Sequence, residues 1–251
     1  MNESEYIIEV EGMVKKFGDF TANDDLNFRV RRGEIFGFLG PNGAGKTTAI
    51  KILAGLLRPT SGRILVAGWD VSRNADRIKE NIGYMSQRFS LYEDLTVHEN
   101  IRFYGGIYGM GIKEINRRSD SLLSELDLAE VRERRVSGIP LGWRQKVALC
   151  VAILHDPPVV FLDEPTSGVD PVIRRQFWDK IYDIADRGKT VFVTTHYMDE
   201  AEYCERVTIM VDGRIEALDT PANLKREYGE DNMNEVFVRA VESNQGTNTG
   251  E

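Results

Sequence analysis

The chain has 251 residues, of which 41% are hydrophobic and 29% are charged, so it can bury a core and is not a disordered tail. Its net charge of −8 argues against a general binder of the nucleic-acid backbone. No apolar run approaches the roughly 20 residues that cross a bilayer, and residues 1–5 are polar and acidic, unlike a signal peptide. These features predict a cytoplasmic protein, with Cys150 and Cys204 as buried free thiols.

The first part of the chain predicts strands, with one helix after a Gly-rich loop. Residues 35–39 form a continuous apolar run, which is typical of a strand covered on both faces. Apolar residues over 47–57 recur at helical spacing. The strands are predicted at 7–10, 26–30, 35–39, 63–66 and 82–85.

Between about residues 90 and 154 the apolar period becomes helical, and no strand is evident in the sequence. We predict helices over 97–108, 113–128 and 141–154. The change of period indicates a helical insert in a mainly α/β body.

The last part of the chain returns to strands separated by a helix over 171–187, which predicts a parallel sheet. An Asp-Gly pair at 212–213 joins the last two strands into a predicted hairpin. The strands are predicted at 159–162, 190–194, 207–211 and 214–218.

The Gly-rich loop fits the pattern G-x-x-x-x-G-K-[ST], a phosphate-binding loop between a strand and a helix. Its glycines let backbone N–H groups point at an anion, and the helix N-terminus adds partial positive charge. We expect Lys46 to contact the β- and γ-phosphates of a nucleotide and Thr47 to bind Mg²⁺. This phosphate loop consists of Gly40, Pro41, Asn42, Gly43, Ala44, Gly45, Lys46 and Thr47.

Two carboxylates, Asp163 and Glu164, follow the predicted strand 159–162. They emerge at its C-terminal end, which is where parallel sheets bind their ligands. We expect Asp163 to reach Mg²⁺ through water. We expect Glu164 to orient or deprotonate an attacking water molecule.

His196 follows the predicted strand 190–194 and would reach the same nucleotide. A lone histidine is more often structural, but an imidazole at this strand end can bond a γ-phosphate. His98 and His155 lack this context and are expected to have no catalytic role.

These motifs resemble the nucleotide-binding subunit of an ATP-binding cassette (ABC) transporter over residues 6–224. The resemblance rests on residues 40–48 (Walker A), Gln87 (Q-loop), 162–166 (Walker B), 167–170 (D-loop) and His196 (switch).

The resemblance implies ATP and Mg²⁺ as cofactors, with Thr48 in the Walker A motif. It implies that Phe17 stacks on adenine, where the family usually has Tyr, although a core position for Phe17 is an alternative. It further implies that Gln87 contacts Mg²⁺ and assists catalysis, that residues 89–95 line a groove for a membrane subunit, and that two cassettes close head to tail around two ATP molecules.

The fold class implied by the resemblance is α/β. It is a P-loop NTPase with a mainly parallel sheet core, a small antiparallel β part and an α-helical subdomain inserted at about 90–154. The ATPase domain is expected over 6–228. Residues 229–251 form a short C-terminal extension, and its polar end from residue 243 is expected to be disordered.

One motif departs from the family. Counting back from Asp163 places the signature segment, residues 139–143, on Ile-Pro-Leu-Gly-Trp instead of the usual Leu-Ser-Gly-Gly-Gln. Pro140 has neither a hydroxyl nor an N–H, whereas Gly142 keeps its identity and is expected to approach the γ-phosphate of the opposite cassette. Residues 140–145 resemble a variant found in some drug-export cassettes with ABC-2-type membrane partners.

The predicted function is that of an ATPase subunit of a membrane ABC exporter of drugs or other hydrophobic compounds. Its expected partners are an integral membrane permease and a second cassette, which is identical or different. We expect the complex at the inner face of the cell membrane, and we expect no nucleic-acid partner. One alternative is a soluble ABC ATPase that acts on ribosomes or DNA, although such proteins usually carry two cassettes or a long coiled coil. Another is a nucleotide-binding partner with one degenerate ATP site.

Overall fold

The computed structural model describes residues 5–87 and 90–248, with side chains up to residue 242. Its strands are β1 (Tyr6–Phe17), β2 (Phe20–Arg31), β3 (Ile35–Leu39), β4 (Ser61–Val66), β5 (Trp69–Asp70), β6 (Ile82–Met85), β7 (Val159–Asp163), β8 (Thr190–Thr195), β9 (Arg206–Val211) and β10 (Arg214–Asp219). Its helices are α1 (Lys46–Leu53), α2 (Ala75–Glu80), α3 (Val97–Ile107), α4 (Ile112–Glu125), α5 (Leu141–Ile153), α6 (Pro171–Asp186), α7 (Pro221–Tyr228) and α8 (Met233–Asn248).

A six-stranded sheet lies at the centre, in the order β10-β9-β3-β8-β7-β6. The strands from β9 to β6 are parallel, whereas β10 runs antiparallel to β9. Every residue of β3, β7 and β8 is buried, as their continuous apolar runs predict. The predicted parallel sheet is therefore present, and the C-terminal ends of these three strands meet at one edge.

A second, antiparallel sheet packs on the first, in the order β2-β1-β4-β5. Phe28 of β2 contacts Phe36 and Phe38 of β3, with ring centroids 5.8 and 5.5 Å apart. These rings belong to a buried cluster that also includes the apolar side of α1. Because β3 and α1 flank the phosphate loop, this cluster fixes both ends of the loop.

The region between β6 and β7 contains α3, α4 and α5, and no strand occurs in the part of it that the structure describes. A capping box starts α3: the Thr96 hydroxyl accepts from the N–H of Glu99, whose carboxylate accepts from the N–H of Thr96. Residues 145–152 of α5 are all buried, and its apolar side chains belong to the larger of the two hydrophobic clusters. It carries Cys150, which is a buried free thiol, as is Cys204, in agreement with the sequence.

The sequence patterns did not predict β5, α2, α7 or α8. Helix α8 buries Met233, Val236 and Ala240 against the main core. The prediction of a disordered end from residue 243 is wrong for 243–248, because the helix anchored by these residues continues to Asn248. Residues 249–251 lie outside the described residues.

Candidate functional site

The phosphate loop leaves β3 and leads into α1, which begins at Lys46. Gly43 and Gly45 have φ angles of 87° and 98°, left-handed conformations that favour glycine. A Cβ atom on Gly45 would lie 2.2 Å from the carbonyl oxygen of Ala22, so space also excludes a larger residue. The glycines therefore allow backbone N–H groups to surround an anion closely at the positive end of α1.

The phosphate loop also rests on the β9–β10 hairpin. The N–H of Gly213 donates to the carbonyl oxygen of Ala44 at 3.2 Å, and the N–H of Asp24 donates to the carbonyl oxygen of Gly213 at 2.8 Å. Two guanidinium nitrogens of Arg214 donate to Asp24 Oδ2, at 2.9 and 2.6 Å. The sequence predicted the hairpin but not this support, because 190 positions separate Asp24 from Arg214.

Lys46 is buried at the start of α1. Its Nζ donates to the carbonyl oxygens of Gly40 and Pro41, at 2.7 and 3.0 Å, and lies 3.4 Å from Oε1 of Glu164. Burial lowers the pKa of Lys46, while the carboxylates of Glu164 and Asp163 oppose this shift. The loop thus holds a desolvated cation beneath its N–H groups.

Glu164 brings together the three residues predicted to be catalytic. Its Oε2 accepts a hydrogen bond from Nε2 of Gln87 at 2.9 Å and lies 3.1 Å from Nδ1 of His196. The backbone of Glu164 has a φ of 49°, a left-handed conformation that is uncommon outside glycine, and its N–H donates to the Thr194 hydroxyl at 3.0 Å. The strand end therefore aims this buried carboxylate at the phosphate loop.

Asp163 lies beside Thr47, as the sequence predicts for a Mg²⁺ site. The hydroxyls of Thr47 and Thr194 donate to Asp163 Oδ1, at 3.2 and 2.7 Å. Its Oδ2 is buried and has no hydrogen-bond partner among the described residues. Burial is the main cause that raises the pKa of Asp163.

These oxygens fit Mg²⁺, which prefers one or two carboxylates together with hydroxyl, water and phosphate oxygens. The described residues contain no group of three or more His, Cys, Asp or Glu that could hold a metal, so Mg²⁺ here would need oxygens from a ligand. Gln87 is the third predicted Mg²⁺ contact, and its amide nitrogen donates a hydrogen bond to the carboxylate of Glu164.

A cavity of about 280 Å³ lies over the phosphate loop. Gly40, Pro41 and Ala44 do not line it: the first two bind Lys46 through their carbonyl oxygens, and Ala44 is buried. The lining residues are Phe20, Ala22, Asn42, Gly43, Gly45, Lys46, Thr47, Thr48, Gln87 and Glu164.

Phe20 is an aromatic residue at this cavity that the sequence reasoning missed. It is paired directly with Phe17 across the β1–β2 hairpin, so both rings lie on the same face of the sheet. Phe17 is 50% exposed, which excludes the core alternative, but it does not line the cavity. The sequence signal that could have identified Phe20 is a pair of Phe residues on either side of a Gly-Asp turn.

The signature segment starts α5, with Pro140 as the N-cap residue and Leu141 as the first helical residue. A Cβ atom on Gly142 would lie 2.8 Å from Cγ2 of Ile173, so this position needs glycine to pack on α6. Gly142 does not line the cavity over the phosphate loop of its own chain. Its contact with a nucleotide of an opposite cassette stays a prediction.

A second, mostly apolar cavity of about 250 Å³ lies between the end of α1, β6, α3 and α5. Its lining includes Leu56 and Ile107, both largely exposed, and Ser90 and Leu91 from the segment 89–95 that was predicted to form a groove. Residues 88 and 89 lie outside the described residues. No helix in the described ranges has the length and apolar character that crossing a membrane requires.

The sequence matches the ABC transporter family over residues 23–167. It is 45% identical over 242 residues to the probable multidrug ABC transporter ATP-binding protein YbhF of Escherichia coli (strain K12), a match that covers 94% of this chain and 42% of YbhF. It is 39% identical over 234 residues to the daunorubicin resistance ATP-binding protein DrrA3 of Streptomyces coeruleorubidus, covering 93% of this chain and 74% of DrrA3. The chain therefore spans less than half the length of YbhF.

Solved structures share the fold. The ATP binding subunit of an ABC transporter superposes with a TM-score of 0.84 at 28% identity, covering 94% of this chain and 99% of that chain. A dimeric, post-hydrolysis structure of the ATP-binding cassette MJ0796, bound to ADP and Pi, gives a TM-score of 0.78 at 25% identity, covering 85% and 98%. The predicted α/β P-loop NTPase fold is confirmed.

Proposed function

Because the chain belongs to the ABC transporter family, we propose that it binds and hydrolyses ATP to power an exporter in a membrane. The observation that carries this proposal is the position of Glu164. Its carboxylate lies within 3.4 Å of Lys46, and closer to Gln87 and His196, beside the phosphate loop. A general base, a phosphate-binding cation and two polar partners thus meet in one buried place.

ATP would bind with its phosphates on Lys46 and on the N–H groups of the phosphate loop. A charge-assisted bond from the ammonium group would replace its present bonds to two carbonyl oxygens. Mg²⁺, held by Thr47 and Asp163 with Gln87 nearby, would neutralise charge on the phosphates. Phe17 and Phe20 would face the adenine and ribose end, and Thr48 lines the same cavity.

Hydrolysis would depend on Glu164. When Lys46 moves to the phosphates, Glu164 loses its cationic neighbour and its carboxylate is free to take a proton from the attacking water. His196, which now faces Glu164 Oε2, would donate a hydrogen bond to the γ-phosphate. The strained backbone at Glu164 keeps the carboxylate aimed at this point.

The chain would act with a permease and with a second cassette, at the inner face of a membrane. The apolar cavity between β6 and α3 supports a permease contact, since it leaves exposed apolar side chains such as Leu56 and Ile107 without cover. The dimeric relative MJ0796 supports a paired arrangement of cassettes. Residues 6–228 would form the ATPase domain, with the helical subdomain at about 90–154.

Drugs or other hydrophobic compounds are the proposed cargo. This part of the proposal rests on relatives that carry the names multidrug and daunorubicin resistance ATP-binding proteins. The cargo itself would be bound by the permease, because the cavity over the phosphate loop is lined by residues suited to a nucleotide.

One observation favours a second candidate function, a cassette that supplies one degenerate ATP site to a pair. Pro140 stands where the family has Ser, and it brings neither a hydroxyl nor an N–H to an opposite phosphate. In that case this chain would hydrolyse ATP only together with a different cassette that carries an intact signature segment.

Exchange of Glu164 tests the proposed function. Glu164→Gln keeps the shape of the side chain but cannot accept the proton, so ATP turnover should fall at least about a hundredfold. ATP binding should persist, and sedimentation with ATP should reveal a trapped dimer. Glu202→Gln, which alters a surface carboxylate paired with Lys225, serves as the matched control.

Transport is tested with the cassette and its permease in inside-out vesicles, with daunorubicin as the probe. ATP should drive accumulation of the drug, and Glu164→Gln should abolish it. Wild-type turnover in Glu164→Gln would contradict the catalytic assignment. Normal turnover without any accumulation would contradict drug export alone.

A further inference from the structure

The first turn of α6 contacts the signature segment and the loop 167–170. The tight packing of Ile173 on Gly142 joins α6 to the start of α5. Nε2 of Gln145 in α5 donates to the carbonyl oxygen of Ser167 at 3.0 Å. Asp170 caps α6 through hydrogen bonds from two N–H groups. The signature segment, the loop 167–170 and the start of α6 therefore form one packed unit.

Arg174, which follows Ile173 in α6, contacts the segment that carries His196. Its guanidinium carbon lies 3.8 Å from the ring centroid of Tyr197, whose ring lies 4.2 Å from that of His196. The same guanidinium group lies 3.5 Å from Asp199 Oδ2 and 3.7 Å from Glu200 Oε1. Arg174 is thus in contact with the residues on both sides of Met198, directly after the strand end that positions His196.

Glu200 links Arg174 to the segment that follows Glu164. Its side chain is fully buried, and its Oε1 accepts a hydrogen bond of 2.6 Å from Thr166, two residues after Glu164. A buried carboxylate is costly unless it is paired and hydrogen-bonded. Its Oε2 has no hydrogen-bond partner among the described residues, so Arg174 and Thr166 are what compensate this charge.

We propose that Arg174 and Glu200 are positioning residues that hold the signature segment and the loop 167–170 in register with His196 and Glu164. The inference rests on the proposed function and deepens it, since both segments would face the second cassette. A planar guanidinium group can stack face to face on Tyr197 while its edge faces carboxylates, whereas an ammonium group has no planar face to stack. The two cassettes would then close only when the ends of β7 and β8 hold Glu164 and His196 in position.

The test compares Arg174→Gln with Arg175→Gln in the purified chain. Arg175 is the neighbouring residue on α6, is largely exposed and pairs only with Asp179 among the carboxylates of the described residues. Arg174→Gln should leave the affinity of the single chain for a fluorescent ATP analogue unchanged. It should lower kcat and weaken the ATP-dependent dimer about tenfold, a size typical of coupled sites. Arg175→Gln should change none of these.

Two further variants keep the test valid if Arg174→Gln unfolds. Arg174→Lys keeps the charge but loses the stacking, and Glu200→Gln keeps an acceptor for Thr166 but loses the charge. Each should lower kcat without changing nucleotide affinity. Equal losses of affinity and kcat, or equal behaviour of Arg174→Gln and Arg175→Gln, would overturn the inference. If Glu164→Gln is inactive while Arg174→Gln matches its control, only this inference fails and the proposed function stands.

Discussion

The ammonium nitrogen of Lys46 lies 3.4 Å from a carboxylate oxygen of Glu164, and the two side chains are only 3% and 5% exposed. A buried ion pair of this kind is strongly destabilised when one partner is removed, because the other charge stays buried and unpaired. Both residues are also the ones that ATP would need. The structure therefore holds Lys46 and Glu164, the proposed phosphate-binding cation and general base, against each other, and we expect phosphate binding to separate them.

Lys46→Ala should lower ATP affinity by roughly ten- to a hundredfold, the equivalent of a lost charge-assisted bond of about 1.5–3 kcal/mol. Adenosine affinity should hardly change, because adenosine has no phosphate for Lys46 to bind. Titration calorimetry with both ligands checks this. Equal losses for ATP and adenosine would instead mean that the unpaired Glu164 disrupts the site.

Much of the central sheet was predictable because its strands have a strong local pattern. Continuous apolar runs mark β3, β7 and β8, and the glycines and Lys46 of the phosphate loop follow β3 directly. Helix α8 escaped prediction because it buries few residues, so its pattern differs little from that of an exposed segment. Strand β5 has two residues and no pattern at all.

The candidate site was predictable from the phosphate-loop pattern, from the family resemblance that marked Gln87, and from the rule that parallel strands end at one edge. That rule brings Asp163, Glu164 and His196 together without any knowledge of side-chain contacts. The cluster around Arg174 and Glu200 could not be predicted, because its contacts join elements that carry no common motif. Such contacts depend on how α6 packs, and the sequence pattern of α6 shows only which face is apolar.

Gly213 should matter for nucleotide binding as well as for stability. It has a φ of 83°, and a Cβ atom there would lie 3.0 Å from the carbonyl oxygen of Ala22, next to the phosphate loop. Gly213→Ala should cost about 1 kcal/mol or more of stability and raise the KM for ATP. Gly188→Ala is the matched control, because Gly188 has a φ of 79° but no neighbour within 4 Å.

Thermal unfolding and steady-state ATPase assays separate the two effects of Gly213→Ala. Both alanine variants should unfold at a lower temperature. Only Gly213→Ala should raise the KM. A normal KM in that variant would show that the hairpin does not hold the loop in its binding conformation.

Phe20 should contribute to nucleotide affinity beside Phe17. Stacking of a base on an aromatic ring is worth about 1–3 kcal/mol by alanine substitution, so Phe20→Ala should weaken ATP binding roughly five- to a hundredfold. Binding of inorganic tripolyphosphate should not change, because that ligand has no base or ribose. If Phe17→Ala weakens ATP binding and Phe20→Ala does not, the cavity lining at Phe20 has no energetic role.

His155 should make the stability fall at acidic pH. Its ring stacks on Tyr108 with centroids 3.6 Å apart, and its Nε2 lies 2.9 Å from the carbonyl oxygen of Ile82. Burial, aided by Arg118, lowers the pKa of His155 to about 4. The unfolded chain binds a proton near its ordinary pKa of about 6.5, so stability is lost as the pH falls below that value towards 4.

His155→Phe keeps the stacking on Tyr108 and removes the titrating group. It should be less stable at about pH 7, by about 1 kcal/mol for the lost hydrogen bond. Its melting temperature should nevertheless fall less than that of the wild type between about pH 7 and pH 5. Parallel pH dependences in the two proteins would assign the acid sensitivity to other groups.

Pro140 is the N-cap residue of α5 and should slow ATP hydrolysis without abolishing it. The helix predicted over 141–154 starts directly after Pro140, and the structure agrees, with Pro140 at φ −58° and ψ 157°. The N–H groups of Leu141 and Gly142 open the helix and find no acceptor within it, so the positive end of α5 is intact. Replacement of the usual Ser by Pro removes a hydroxyl and an N–H, and each lost donor can cost about 2.7–4 kcal/mol at a developing charge.

We therefore expect slow but measurable ATP hydrolysis by the assembled wild-type complex. Pro140→Ser would add a hydroxyl, a backbone N–H and an N-cap worth about 0.5–2 kcal/mol, whereas Pro140→Ala would add the backbone N–H alone. A moderate gain in kcat with Ser but not with Ala would assign the effect to the hydroxyl group. Melting temperatures of the three proteins separate the contribution of the cap. If the wild type shows no turnover and Pro140→Ser gains it, the signature segment of this chain is inactive, and a different partner cassette must supply the working one.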